Sequence, residues 1–160
     1  MTHANDRSPE DLLADHHRSL DDRLNHLLTR AEGGDPAQLG AAWTAFETEL
    51  VRHMDLEEVE IMPPFMEHDP DEARALLDEH AALRAALTEI GVTLQLHCLR
   101  AEVVADFARR LKAHAAREDA ALYAWAQAHV SRGAWDTIKR GLRQVARLRT
   151  GISRVASSYM

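Results

Sequence analysis

Two short segments of this sequence carry side chains that bind transition metals. Residues 53–57 (HMDLE) and 114–118 (HAARE) both read H-x-x-x-E. Because residues four positions apart lie one turn apart on the same face of a helix, each segment would present an imidazole beside a carboxylate. Two single histidines, His17 and His80, occur on other stretches with helical periodicity. These ligand types suit iron, with manganese and zinc as alternatives. The candidate metal ligands are His17, His53, Glu57, His80, His114 and Glu118.

Four stretches of the chain have apolar residues at three- and four-residue steps, which predicts four amphipathic helices. The expected elements are a first helix from a cap at Ser8 to the turn at 32–36, a second from about Gln38 to Pro63-Pro64, a third from His68, and a fourth through Trp125. The alternation typical of strands is scarce, which indicates an all-α fold. Neither Gly nor Pro marks the boundary between the third and fourth helices, yet one helix of ~60 residues is improbable in a globular domain.

The candidate ligands lie in the apolar stripes of their helices, and their spacing predicts that they share one level. In antiparallel neighbours, residues at equal height are equidistant from the turn between them. The midpoints of the pairs His17–His53 and His53–His80 both fall in segments that contain Gly or Pro, where turns are expected. The same rule places the turn between the third and fourth helices near residue 97. The sequence therefore predicts an up-down-up-down four-helix bundle with its four histidines in one layer.

A bundle without metal is the competing interpretation of these residues. A single histidine on an apolar face is more often a core residue than a ligand, and one H-x-x-x-E pair can form a simple hydrogen bond. Burying all of these groups without partners would cost several kcal/mol. Four helices that each supply a histidine at one level favour a metal site over a metal-free helical scaffold.

The order H…HxxxE…H…HxxxE resembles that of the hemerythrin-like, or HHE cation-binding, proteins over roughly residues 10–128. Residues 17–21 (HRSLD), residues 80–84 (HAALR) and the double acids at 57–58 and 118–119 support the resemblance. It implies a non-haem di-iron site in a four-helix bundle. Such a site holds two iron ions with an oxo or hydroxo bridge, and the two carboxylates bridge them as well.

The sequence departs from the oxygen-carrying hemerythrins at Arg84, because those carriers have a second histidine at this position of an H-x-x-x-H motif. Arginine cannot ligate a metal, so one imidazole is missing. The carriers also have H-x-x-x-x-D on the fourth helix, a spacing that Asp119 fits from His114. Glu118 lies nearer the apolar stripe and is the preferred ligand. The non-carrier branch of the family has H-HxxxE-H-HxxxE, which this chain matches in full.

Three further residues have alternative interpretations. His16 is either a replacement for His17 as a ligand or an outer partner of the site. Tyr123 and Trp125 follow Glu118 on the fourth helix, and they belong either to the border of the site or to the core. The core interpretation is favoured for both aromatic residues.

The resemblance and the missing imidazole together suggest a function. Six protein ligands leave each iron short of six-coordinate, so O2, peroxide or nitric oxide can bind at an open di-iron centre. The loss of one histidine favours redox chemistry over reversible O2 storage. We expect catalase-like peroxide disproportionation or nitric oxide reduction, although the sequence leaves open whether the protein is an enzyme. The alternative is a non-enzymatic oxygen or iron sensor, or an iron-storage protein.

The distribution of charge divides the chain into residues 1–130, the predicted bundle, and residues 131–160, a basic C-terminal helix or tail. The tail has a net charge of +6 and the rest of the chain −13. The acidic body argues against nucleic-acid binding. Residues 132–149 form an amphipathic pattern. It predicts either a helix that docks on the bundle or a helix that binds an anionic surface or a partner protein. We expect no transmembrane segment, and the single cysteine, Cys98, is compatible with the cytoplasm.

Overall fold

The computed structural model describes residues 9–31 and 36–156, with the side chains of residues 11–30 and 37–144. Within these ranges the regular structure is entirely helical, which confirms the all-α class. The helices are α1 (Pro9–Ala31), α2 (Pro36–Glu60), α3 (Met62–His68), α4 (Pro70–Gln95), α5 (Ala101–Glu118), α6 (Ala124–His129) and α7 (Arg132–Ala156), with a π-helical turn at Asp119–Tyr123. Among the described residues, no helix is both long and apolar enough to cross a membrane.

Proline and acidic residues define the helix starts, and α2 begins two residues earlier than the predicted start near Gln38. The first turns of α1 and α2 begin with Pro9 and Pro36, where a missing N–H costs nothing. At the start of α4 the Asp69 carboxylate accepts a hydrogen bond from the Glu72 N–H at 3.0 Å. The predicted cap at Ser8 and the first turn at 32–35 lie outside the described residues.

The segment expected to be a plain turn after the second helix contains the short helix α3. Pro63 and Pro64 lie in its first turn, where proline is tolerated, so the pair starts a helix here as well as ending one. Burial of Met62 and Phe65 holds α3 against the bundle. The second turn therefore lies within the predicted segment but is partly helical.

The unmarked third turn occurs where the equal-height rule placed it, since α4 ends at Gln95 and α5 begins at Ala101. His97 has a φ of 55°, the left-handed conformation that usually requires glycine. The Cys98 N–H donates to the Thr93 carbonyl at 3.0 Å, and the His97 N–H donates to the Leu94 carbonyl at 3.1 Å. This pair of bonds is a Schellman motif, which ends α4 without a glycine.

Replacing His97 by glycine should stabilise the protein. We expect His97→Gly to raise the free energy of unfolding by ~0.5–1 kcal/mol, because glycine adopts a positive φ without the steric cost of Cβ. Urea denaturation measures the change. The control is Gln95→Gly on the helical side of the same turn, which should lower stability by a similar amount. A loss of stability in both variants would contradict this account of the turn.

Two apolar clusters enclose a polar layer along the four long helices. One cluster includes Leu13, Leu56, Leu76 and Leu122, and the other includes Leu20, Leu50, Leu83 and Leu111. Each of the four predicted ligand histidines lies in the chain between a residue of one cluster and a residue of the other. In α1 and α4 a residue of the Leu13 cluster precedes the histidine, whereas in α2 and α5 a residue of the Leu20 cluster precedes it. Helix α1 packs against α2 and α5, and α4 also packs against both of these helices.

Helix α7 docks on α2 through the apolar face that the sequence predicted. Trp135, Ile138 and Leu142 are buried in the same cluster as Leu56. A Cβ atom on Gly141 would lie 2.8 Å from both methyl groups of Leu56, so glycine permits this close approach. Val145 and Leu148, the rest of the predicted stripe, lie outside the described side chains.

Adding a methyl group at Gly141 should loosen the docking of α7. Alanine improves helix propensity, but the overlap with the buried Leu56 outweighs this gain, so Gly141→Ala should lose on the order of 1 kcal/mol. Gly40→Ala is the matched control, because no described atom lies within 4 Å of its added Cβ. It should gain ~0.5–1 kcal/mol. Thermal denaturation of both variants measures the difference, and a gain at Gly141 equal to that at Gly40 would refute the close packing.

Candidate metal centre

Four helices bring the six predicted ligands together in one buried layer. The contributions are His17 from α1, His53 and Glu57 from α2, His80 from α4, and His114 and Glu118 from α5. All six side chains are buried, and Glu57, His80 and Glu118 are fully so at 0% exposure. The spacing of the H-x-x-x-E segments therefore places imidazole and carboxylate side by side in the interior of the bundle.

The ligand atoms form two groups that share one carboxylate. His17, His53, Glu57 and Glu118 form the first group, and His80, His114 and Glu118 form the second. Within each group the potential ligand atoms lie within 4.8 Å of one another. Each group thus combines the single histidine of one helix with the H-x-x-x-E histidine of the next.

Both carboxylates lie between the two pairs of histidines. The oxygens of Glu118 lie 3.2 Å from His17 Nε2 and 3.0 Å from His80 Nε2. Those of Glu57 lie 3.1 Å from His53 Nε2 and 3.5 Å from His80 Nε2. A carboxylate between two sets of imidazoles can contribute one oxygen to each of two cations.

Unpartnered buried atoms show that this cluster fits a cation. Among the described residues, Glu57 Oε2 and His114 Nε2 are buried without a hydrogen-bond partner, as is His17 Nδ1. His114 Nε2 lies 3.0 Å from Glu118 Oε1 but lacks hydrogen-bond geometry toward it. Each unsatisfied group costs ~1–3 kcal/mol. A bound cation would satisfy Glu57 Oε2 and His114 Nε2, so the donor set suits a metal.

The electrostatics of the metal-free cluster leave protons on its ligands. Burial and the charge of Glu118 raise the pKa of Glu57 to about 8. Burial would also raise the pKa of Glu118, but contacts with three of the histidines hold that pKa well below its usual range. Burial disfavours a charged His17, yet the carboxylates of Asp119 and Glu118 raise the pKa of His17 to about 10. A bound cation must therefore displace protons from His17 and Glu57.

Carboxylates outside the cluster hold the histidines of α4 and α5. His80 Nδ1 lies 2.8 Å from a Glu58 oxygen, and His114 Nδ1 lies 2.7 Å from a Glu79 oxygen. Such partners orient an imidazole and increase its basicity. Arg84 donates to Glu58 at 2.6 Å, so the residue that departs from the carriers' motif has an outer role here. Arg117 donates to Glu79 in the same way, also at 2.6 Å.

His53 has an imidazole as its outer partner. Its Nδ1 lies 2.9 Å from Nδ1 of His16, and His16 Nε2 lies 3.2 Å from a Glu49 oxygen. Arg23 pairs with the same buried carboxylate. Of the two interpretations of His16, the outer partner fits, although it serves His53 rather than His17. Glu49 was not predicted as part of the site, although it lies four residues before His53 and therefore on the same face of α2.

Asp119, the reserve ligand, lies at the edge of the site. Its carboxylate is half-exposed and lies 3.7 Å from His17 Nδ1, too far for a hydrogen bond. It belongs to neither group of potential ligands among the described residues. The structure thus places Glu118, and not Asp119, among the histidines.

Tyr123 belongs to the buried core, as the favoured interpretation has it, and its hydroxyl also reaches the centre of the His/Glu cluster. Its hydroxyl donates to Glu57 Oε1 and lies 3.2 Å from His53 Nε2 and 3.3 Å from His17 Nε2. The π-helical turn Asp119–Tyr123 explains this position, because its extra residue brings the fifth residue after Glu118 onto the ligand face. Nothing in the local sequence marked this turn. Trp125 instead packs against residues 65 and 129.

Removing the Tyr123 hydroxyl should destabilise the metal-free protein. We expect Tyr123→Phe to lower the free energy of unfolding by ~1–3 kcal/mol, because the buried Glu57 loses its donor. Urea denaturation in the presence of a chelator measures the effect. In a Glu57→Leu background the same substitution should cost at least ~1 kcal/mol less. Equal losses in both backgrounds would show that the hydroxyl does not act through Glu57.

Comparison with protein families agrees with this geometry. Residues 8–126 match the family model described as the hemerythrin HHE cation-binding domain. The match covers more than half of the chain, so the chain belongs to the hemerythrin HHE cation-binding family. Comparisons with curated proteins and with solved structures gave no match. The family assignment implies cation binding, and the buried His/Glu cluster fits a metal site.

Proposed function

We propose that this protein is a non-haem di-iron protein that binds O2, peroxide or nitric oxide and carries out redox chemistry on the bound molecule. The position of Glu57 and Glu118 between two pairs of histidines carries this proposal. His17 with His53 would hold one iron, and His80 with His114 the other. Two iron ions held there would supply reversible one-electron oxidation and open positions for a small oxidant.

The residues around the cluster suit such chemistry by controlling water and protons. The apolar clusters on both sides of the layer limit the access of bulk water to it. Tyr123 holds a proton on its hydroxyl oxygen next to Glu57, and burial raises the pKa of Tyr123 well above its usual value. A neutral phenol at this position can donate a hydrogen bond to a small ligand or to a carboxylate.

The arrangement proposed for the domain is an up-down-up-down bundle of α1, α2, α4 and α5. The alternating order of the two apolar clusters along these helices supports it. We assign residues 1–130 to this bundle and residues 131–160 to a basic C-terminal extension. The family match ends at residue 126, before α7 begins, which supports the division.

Replacing one histidine should remove metal from the protein. His80→Ala should lose at least one of two irons per chain, because His80 is fully buried and lies beside both carboxylates. Elemental analysis of folded protein from iron-supplied cells measures the content. The control is His129→Ala. His129 is exposed, and its Nδ1 donates a hydrogen bond to the Trp125 carbonyl. Unchanged iron content in His80→Ala would refute the assignment.

Turnover distinguishes redox chemistry from sensing or storage. We expect the iron-loaded protein to disproportionate peroxide, or to reduce nitric oxide in the presence of an added reductant, for many cycles per centre. Electrode measurements of peroxide, O2 and nitric oxide follow the reaction. His80→Ala should lose this activity and His129→Ala should retain it. Full iron loading with no turnover of any of these molecules would refute an enzymatic role and favour a sensor or an iron store.

A further inference from the structure

We infer that the two metal positions differ in affinity, so that the position of His80 and His114 binds its metal more tightly than the position of His17 and His53. Each position has two histidines, and both carboxylates lie between the two pairs, although only the first group includes Glu57 among its mutually close ligand atoms. The difference that we propose therefore lies in the outer partners of the four histidines. This inference rests on the proposed two-metal function. It assigns to this chain an order of metal binding and the residues that set it.

Both histidines of the tighter position have a fixed carboxylate behind the ring. Nδ1 of His80 lies 2.8 Å from Glu58, and Nδ1 of His114 lies 2.7 Å from Glu79. Arg84 donates to Glu58 and Arg117 donates to Glu79, each at 2.6 Å. An anionic partner at hydrogen-bond distance makes the opposite ring nitrogen a stronger electron-pair donor to a metal. The arginine fixes the carboxylate, and the carboxylate orients the ring before the metal binds.

The histidines of the weaker position lack this support. The partner of His53 is the imidazole of His16 and not a carboxylate, so the negative charge of Glu49 lies one ring further away. His17 Nδ1 has no hydrogen-bond partner among the described residues. The Asp119 carboxylate is half-exposed and lies 3.7 Å away, beyond hydrogen-bond distance, so it does not hold the His17 ring in a fixed orientation.

A groove between α1 and α5 reaches the weaker position from solvent. It has a volume of about 240 Å³, and His17 and Asp119 form part of its wall. Three small side chains in its lining, Ala14, Ala115 and Ala116, leave this space. The metal held by His17 should therefore exchange with solvent through this groove, in addition to being held less tightly.

Two matched variants test the affinities directly. His17→Ala leaves the histidines of the tighter position intact, and His80→Ala leaves those of the weaker position. Titration of each metal-free protein with Co2+, followed by its visible absorption, gives the affinity of the remaining position. We expect Co2+ to bind His17→Ala roughly 10-fold or more tightly than His80→Ala. Equal affinities, or the reverse order, would overturn the inference.

A second pair of variants keeps all six ligands and guards against misfolding. Glu79→Gln retains a hydrogen bond to His114 but removes the negative charge, and it should weaken the first Co2+ step by roughly 10-fold or more. Glu89→Gln removes the same charge from an exposed position on the same helix and should leave both steps unchanged. Identical titrations for the two variants would overturn the role of the carboxylate. A wild-type protein that binds no Co2+ or iron would instead refute the proposed function, and the inference with it.

Release of Co2+ into a chelator tests the groove. The wild-type protein should lose its two ions in a fast and a slow phase, and His17→Ala should lack the fast phase. Filling the groove with Ala115→Leu should slow the fast phase several-fold. The control Ala113→Leu adds the same side chain at an exposed position of α5 that does not line the groove. A fast phase unaffected by Ala115→Leu would overturn exchange through this groove.

Discussion

The burial of two carboxylates among four imidazoles, in the middle of an apolar bundle, is the constraint on which the rest of the structure depends. Glu57 and Glu118 are fully shielded from water, where an uncompensated charge costs several kcal/mol even after relaxation. The surrounding histidines offset this cost only in part, because Glu57 Oε2 and His114 Nε2 remain buried without hydrogen-bond partners. A bound cation supplies the missing positive charge. The apolar clusters, in turn, enclose the layer on both sides.

Charges of alternating sign extend from this layer to the surface and connect the helices. From Glu118 the series passes through His114 and Glu79 to Arg117, which lies at the rim of the bundle. Each of these steps crosses between α4 and α5 or follows a turn of α5. A hydrogen-bonded series links His53 through the His16 ring and Glu49 to Arg23, and it joins α1 to α2. The partners that orient the ligands therefore also help to fix the helices relative to one another.

Hydrophobic periodicity was sufficient to predict the buried layer of histidines and glutamates, because these residues occupy the same stripes as the leucines that pack above and below them. Equal heights in antiparallel helices also located the third turn. The chemistry of that turn was not predictable, since His97 takes a conformation that its type rarely adopts. The position of Tyr123 depends on one extra residue in a π-helical turn, which side-chain periodicity does not reveal. The pairing of His16 with His53 depends on ring orientations that only the packed structure defines.

The departure at Arg84 shows why a missing ligand is not simply a lost function. In this chain the guanidinium reaches back from α4 to α2 and holds the carboxylate that supports His80. No role for Arg84 was predicted from the sequence. Arg84 therefore acts on the cluster from outside, and the cluster itself contains four imidazoles and two carboxylates.

The metal content of the wild-type protein tests the central claim most directly. Elemental analysis of protein purified from iron-supplied cells, with an optical spectrum of the same sample, should give about two irons per chain and a charge-transfer band typical of an oxo-bridged pair. Little or no bound metal, even after anaerobic reconstitution with iron, would contradict the account. The six buried side chains would then form a hydrogen-bonded core in a helical scaffold.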